Sequence, residues 1–96
     1  MEVWKPIPQS HGSYEASSLG RIRNARTGRI LKTQKSASGT MILTLTGYMG
    51  GRSYTVAKLV GMAFKPKAKG RVSHKNGNRY DNRPENLIFS EDYYVE

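Results

Sequence analysis

Apolar and polar positions alternate over short runs in the first half of the chain, then change to a longer period past its middle. Tyr14-Glu15-Ala16 and Arg21-Ile22-Arg23 alternate as half-buried strands do, and Ser17-Ser18-Leu19-Gly20 between them has turn composition. Ahead of them, Pro6 and Pro8 favour extended or turned backbone. Thr27-Gly28 predicts a turn, with Arg29 to Thr33 returning as a strand. Met41 to Thr46 is rich in β-branched residues and alternates at "ILTLT"; Gly50-Gly51 then predicts a hairpin turn and Ser53-Tyr54-Thr55 the returning strand. The expectation is a small antiparallel sheet with basic side chains on its wet face.

The period changes at Val56. Val56, Leu59, Val60, Ala63 and Phe64 stand at the spacing of one helical stripe, which predicts an amphipathic helix with Lys58 pointing away from the core. Thr55 is a suitable N-cap, and Pro66 ends the helix. Lys65 to Gly70 reads as a basic linker. Beyond it, Arg71 to His74 predicts a short strand, Asn76-Gly77 a tight turn, Asp81-Asn82-Arg83-Pro84 a second loop, and Asn86 to Phe89 a return strand. Ser90-Glu91-Asp92 has the composition of a helix start, a capping serine followed by acids. The fold class is α+β: antiparallel strands, a helix, then strand, long loop, strand and a stub of helix.

A length of 96 residues suggests one compact unit or two small subdomains sharing a core. No apolar run approaches the roughly 18 residues of a membrane span. The start lacks the shape of a signal peptide, and the absence of cysteine excludes disulfides and thiolate zinc sites. A cytoplasmic address fits. Charge changes the picture more. Sixteen Lys and Arg face seven Asp and Glu, a net charge of +9, and no acid stands between Glu15 and Asp81 while fourteen basic residues do. Such one-signed charge calls for an anionic partner, and the phosphate backbone is the first candidate. In the front half the candidate contacts are Arg21, Arg23, Arg26, Arg29, Lys32 and Lys35, of which Arg21, Arg23, Arg29 and Lys32 are expected to share a solvent face. Further on they are Lys58, Lys67, Lys69, Arg71, Lys75 and Arg79.

The chemistry concentrates in "VSHKNGNRYDNRPENLIF", Val72 to Phe89. A neutral histidine at a strand end can take a proton from water near pH 7, and His74 is the only histidine in this segment. His11 has no such context and reads as a surface loop residue. Asn76, Asn78, Asp81 and Asn82 read as loop formers.

The run "SHKNGNRYDNRPENL" resembles the ββα-metal finger of HNH endonucleases, in the form found in phage and intron-encoded homing enzymes. "VWKPIP", "YEASSLGRIRN" and "GRILK" resemble the nuclease-associated modular domain that precedes such fingers, and "YTVAKLVGMAF" is similar to the joining helix. The resemblance implies residues 1–50 as a modular DNA-binding region and 51–96 as linking helix and finger. It implies metal-dependent nicking of double-stranded DNA in a phage-infected bacterial host, with Mg²⁺ or another divalent cation, His74 as general base, and Asn86 bonding across the loop. It also calls for metal ligands where this chain has Ser73 and Val95. A serine hydroxyl is a poor Mg²⁺ ligand and valine is none. Asp92 is the substitute carboxylate, and little nicking is expected. Two alternatives stay open: a non-catalytic DNA-binding or host-interfering regulator on the same scaffold, and a module whose basic surface takes an acidic host protein.

Overall fold

The structure, a computed structural model, describes residues 1–45 and 51–91. Strands β1 (Trp4–Pro6), β2 (Tyr14–Ser17) and β3 (Ile22–Asn24) form a first antiparallel sheet in that order. Strands β4 (Gln34–Lys35), β5 (Met41–Leu45) and β6 (Arg52–Thr55) form a second. Helix α1 (Val56–Phe64) follows β6 without a loop, and β7 (Lys69–His74) and β8 (Leu87–Glu91) make a hairpin.

Helix α1 is the hub. Val56, Leu59 and Val60 of the expected stripe are buried, joined by Ala57 and Gly61, while Ala63 and Phe64 are half-buried at its edge. They meet Ile7, Ala16 and Ile22 of the front segment, Leu43 and Leu45 of β5, and Leu87 and Phe89 of β8 in one apolar cluster. Thr55 caps the helix by accepting from the Lys58 N–H at 3.2 Å. At the other end Lys65 Nζ donates to the Leu87 carbonyl at 2.8 Å, tying the helix terminus to the root of β8. Gly61 is needed for packing: a Cβ there would stand 2.2 Å from Cζ of Phe89. No described helix is long and apolar enough to cross a membrane.

Several sequence expectations are corrected. Front-half strands divide into two sheets, where one was expected. Arg29 to Thr33 is not a strand. Only Ile30 bridges back to Arg23, because the chain then crosses to the second sheet to begin β4. The basic linker is shorter than expected, since Lys69 and Gly70 already belong to β7. Asn86 lies in a 3-10 turn, Pro84–Asn86, opened by the fixed φ of proline, and β8 starts one residue later. Ser90 and Glu91 are strand, not helix start. The Ser90 hydroxyl accepts from the Arg71 N–H at 2.9 Å, beside the irregular register of β7. The expected final helix from Asp92, the Val95 position, Thr46 and Gly50 lie outside the described residues.

Candidate active site

The β7–β8 connection holds the candidate site residues His74 and Asn86. His74 closes β7 opposite Leu87, and Asn86 stands twelve positions further on. The intervening chain is a string of side-chain-to-backbone turns. Asn76 Oδ1 accepts from the Asn78 N–H at 2.8 Å, and Asn78 Oδ1 from the Tyr80 N–H at 3.0 Å. Asn86, buried, bonds across the loop in three directions. Its Oδ1 accepts from the Asn76 N–H at 3.1 Å, and its Nδ2 donates to Asn76 Oδ1 at 3.1 Å and to the Asp81 carbonyl at 2.8 Å. A neutral amide can accept once and donate twice in this way. The main chain beside His74 is held too, because the Lys75 N–H donates to the Asn86 carbonyl at 2.8 Å.

His74 is half-buried, and its Nε2 meets Oδ1 of Asn82 at 2.8 Å. Asn82 is buried in turn, at 5% exposure. Read from sequence as a loop former, it is the direct partner of the imidazole. His74 and Asn82 line a cleft of about 390 Å³ together with Ser73, Arg79, Thr40 and Thr55, so the cleft opens between the finger loop and the second sheet.

Asp81 is committed elsewhere. Arg83 donates to both of its oxygens at 2.8 Å, and Asn76 Nδ2 adds a third bond at 3.0 Å. The Arg83 fork, then the Asn76 amide, hold the Asp81 carboxyl well below the usual carboxylate range, and the same pairing raises Arg83. These facts bear on the metal. Ser73 offers an exposed hydroxyl beside His74, and the carboxylate of Asp81 is already saturated by Arg83. No three His, Asp or Glu side chains gather among the described residues. The described donors do not make a divalent-cation cage, and Asp92, the remaining candidate ligand, lies outside the described residues.

Of the expected DNA contacts, Arg23 is half-buried, and Arg21, Arg26, Arg29, Lys32, Lys35, Lys58, Lys67, Lys69, Arg71, Lys75 and Arg79 are exposed. Four of them have contacts within the chain that bear on the site. Arg21 pairs with Glu2, its Nε donating at 2.9 Å, and the contact holds Glu2 down at about 2, helped by Ser17. Arg23 pairs with Glu15, its opposite number on β2, at 2.7 Å, and lies over the Trp4 ring at 4.2 Å. Arg79 Nη1 donates to the Ser38 carbonyl at 2.7 Å, and Lys35 Nζ sits 4.8 Å over the Tyr80 ring. The last two contacts dock the finger loop onto the β4–β5 turn.

Residues 2–46 match the NUMOD4 motif. An uncharacterized HNH endonuclease of Acanthamoeba polyphaga mimivirus is 30% identical over 91 residues, 90% of this chain and 23% of its own. The DNA endonuclease I-HmuI of Bacillus phage SP01 is 31% identical over 86 residues, 88% of this chain and 49% of its own. The solved structure described as DNA binding and cleavage by the HNH homing endonuclease I-HmuI matches with a TM-score of 0.78 at 30% identity, over 91% of this chain and 51% of that one. The chain thus spans between about a quarter and a half of the length of these relatives.

Proposed function

We propose, for a chain whose sequence and fold are related to the phage-type HNH endonucleases, that it binds double-stranded DNA and nicks it slowly, with His74 as general base. The observation that carries this reading is the imidazole in its cleft: Nε2 is bonded to Asn82, while Nδ1 has no hydrogen-bond partner among the described residues. Phosphodiester hydrolysis needs a water deprotonated beside the phosphorus, and a neutral histidine near pH 7 is suited to that transfer. The exposed basic residues support the binding half of the reading. Contacts such as Arg29, Lys32 and Lys67 to phosphate would fix the duplex without reading its sequence. Turnover is slow because the donor set beside His74 is thin, with Ser73 offering only a hydroxyl.

A second reading, DNA binding without cleavage, is favoured by one specific observation: the hydroxyl of Ser73 stands where the resemblance calls for a ligand, and Asp81 is tied to Arg83. Ser73→Asp separates the two. A carboxylate beside His74 should raise Mg²⁺- or Mn²⁺-dependent nicking of supercoiled plasmid at least tenfold, and the gain should vanish with His74→Ala. A Ser73→Asp protein that binds DNA and stays inert would overturn the nuclease reading in favour of the binding one.

A further inference from the structure

We infer that Asn82 is the positioning residue for His74, and that the β2–β3 turn of the front sheet seats Asn82 through Gly20. This rests on the reading of His74 as general base.

Oδ1 of an asparagine can only accept a hydrogen bond. Its 2.8 Å contact with Nε2 of His74 therefore requires the ring proton on Nε2. A neutral imidazole has one such proton, so Nδ1 is left bare with its lone pair available. Asn82 is 5% exposed, so water competes poorly for this bond. The partner selects both the tautomer and the rotation of the ring, and the arrangement presents Nδ1 as the basic atom.

Asn82 is itself held from two sides. On one, the preceding carbonyl of Asp81 accepts from Asn86 Nδ2 at 2.8 Å. On the other, Gly20 lies against its main chain: a Cβ at Gly20 would stand 2.8 Å from the Asn82 carbonyl carbon and 2.9 Å from its oxygen. Gly20 also has φ +82°, which disfavours any side chain. The turn that carries it is fixed by Ser17, whose buried hydroxyl accepts from the N–H groups of Leu19 at 3.1 Å and Arg21 at 3.0 Å. A continuous path of contacts thus runs from the front sheet to the imidazole. The front half therefore does more than add charge: it sets the orientation of the proposed base.

The test reads the ring directly, in the intact chain, by ¹⁵N–¹H NMR without DNA, and reads nicking in parallel. The unmodified protein should show His74 protonated at Nε2, with an Nε2–H cross-peak protected from water exchange. Asn82→Leu should remove that cross-peak and lower the nicking rate about 10- to 100-fold, the scale expected when a reacting group is misplaced. Asn82→Asp keeps an acceptor in the same place and should keep the cross-peak. Gly20→Ala leaves the amide intact and displaces it, and should weaken the signal. An Nδ1–H tautomer in the unmodified protein overturns the proposal without any variant. So does an Asn82→Leu protein that nicks at the unmodified rate while His74→Ala does not nick. Should the cross-peak depend on Asn82 in a protein that never cuts DNA, the positioning stands and the nuclease reading falls.

Discussion

Replacing Gly61 with alanine sets two effects of opposite sign against each other. In an open helix interior the change gains about 1 kcal/mol from helix propensity. Here the new methyl would stand 2.2 Å from Cζ of Phe89 and 3.0 and 3.1 Å from its two Cε atoms. Carbon atoms pack at about 3.5–4.0 Å, so the ring must retreat by roughly 1 Å or more. Phe89 is 9% exposed and pairs through Val72 with β7, so it has little room. Overpacking of this kind costs about 1–3 kcal/mol, and more where nothing yields. With the propensity gain set against it, we expect a net loss of up to about 2 kcal/mol, a fall in Tm of up to about 15 °C for a domain this small. Thermal unfolding followed by circular dichroism measures it. In a Phe89→Leu background the same alanine should be neutral or stabilising, a coupling above about 1 kcal/mol in a double-mutant cycle. A Gly61→Ala protein with raised Tm would refute the argument that the helix and the finger hairpin are locked together at this contact.

Asn86→Ala should cost about 1–3 kcal/mol, because it leaves the Asn76 N–H and the Asp81 carbonyl without their partner, and amide exchange over residues 75–82 should accelerate. Duplex DNA binding should be steeply salt-dependent: if five to eight phosphates are neutralised, the log–log slope is about −4.5 to −7. Arg29→Ala with Lys32→Ala should flatten that slope by about 2 on any sequence, and an unchanged slope would take these residues out of the interface. Asp81 titrates lower in the folded loop than in the unfolded chain, so its contribution is complete above about pH 4 and is lost as pH falls from there toward the depressed folded value. Amide protection factors over residues 76–83, corrected for the intrinsic pH dependence of exchange, should therefore hold steady from pH 7 to 5 and fall only below about 4, and Asp81→Asn should abolish the acid step.

Where local pattern and tertiary packing agree, the sequence was informative. The helical stripe from Val56 to Phe64, its Thr55 cap and its stop before Pro66 are local features, and packing around α1 reinforces them. Ser90-Glu91 shows the opposite case. A serine followed by acids is a helix-start signature, yet pairing with β7 wins, and the Ser90 hydroxyl bonds across to Arg71 where a cap would bond along the chain. The charge argument counted Arg21 and Arg23 as open because no acid follows Glu15 until Asp81. The missing acids come back in space, Glu15 on the neighbouring strand β2 and Glu2 from the segment ahead of β1, pairings that only the tertiary structure reveals. Asn82 was legible as a turn residue and no more. Nothing local distinguishes an asparagine that bonds its own backbone from one that reaches a histidine eight residues earlier.

The central claim concerns one side chain, and the measurement that meets it most directly is the initial rate of open-circle formation from supercoiled plasmid. The unmodified protein and His74→Ala are compared at equal DNA occupancy, with binding read in the same samples. The account predicts slow nicking by the unmodified protein, a loss of about 100-fold or more in His74→Ala, and DNA affinity within about twofold between the two. Equal nicking by both proteins would contradict it.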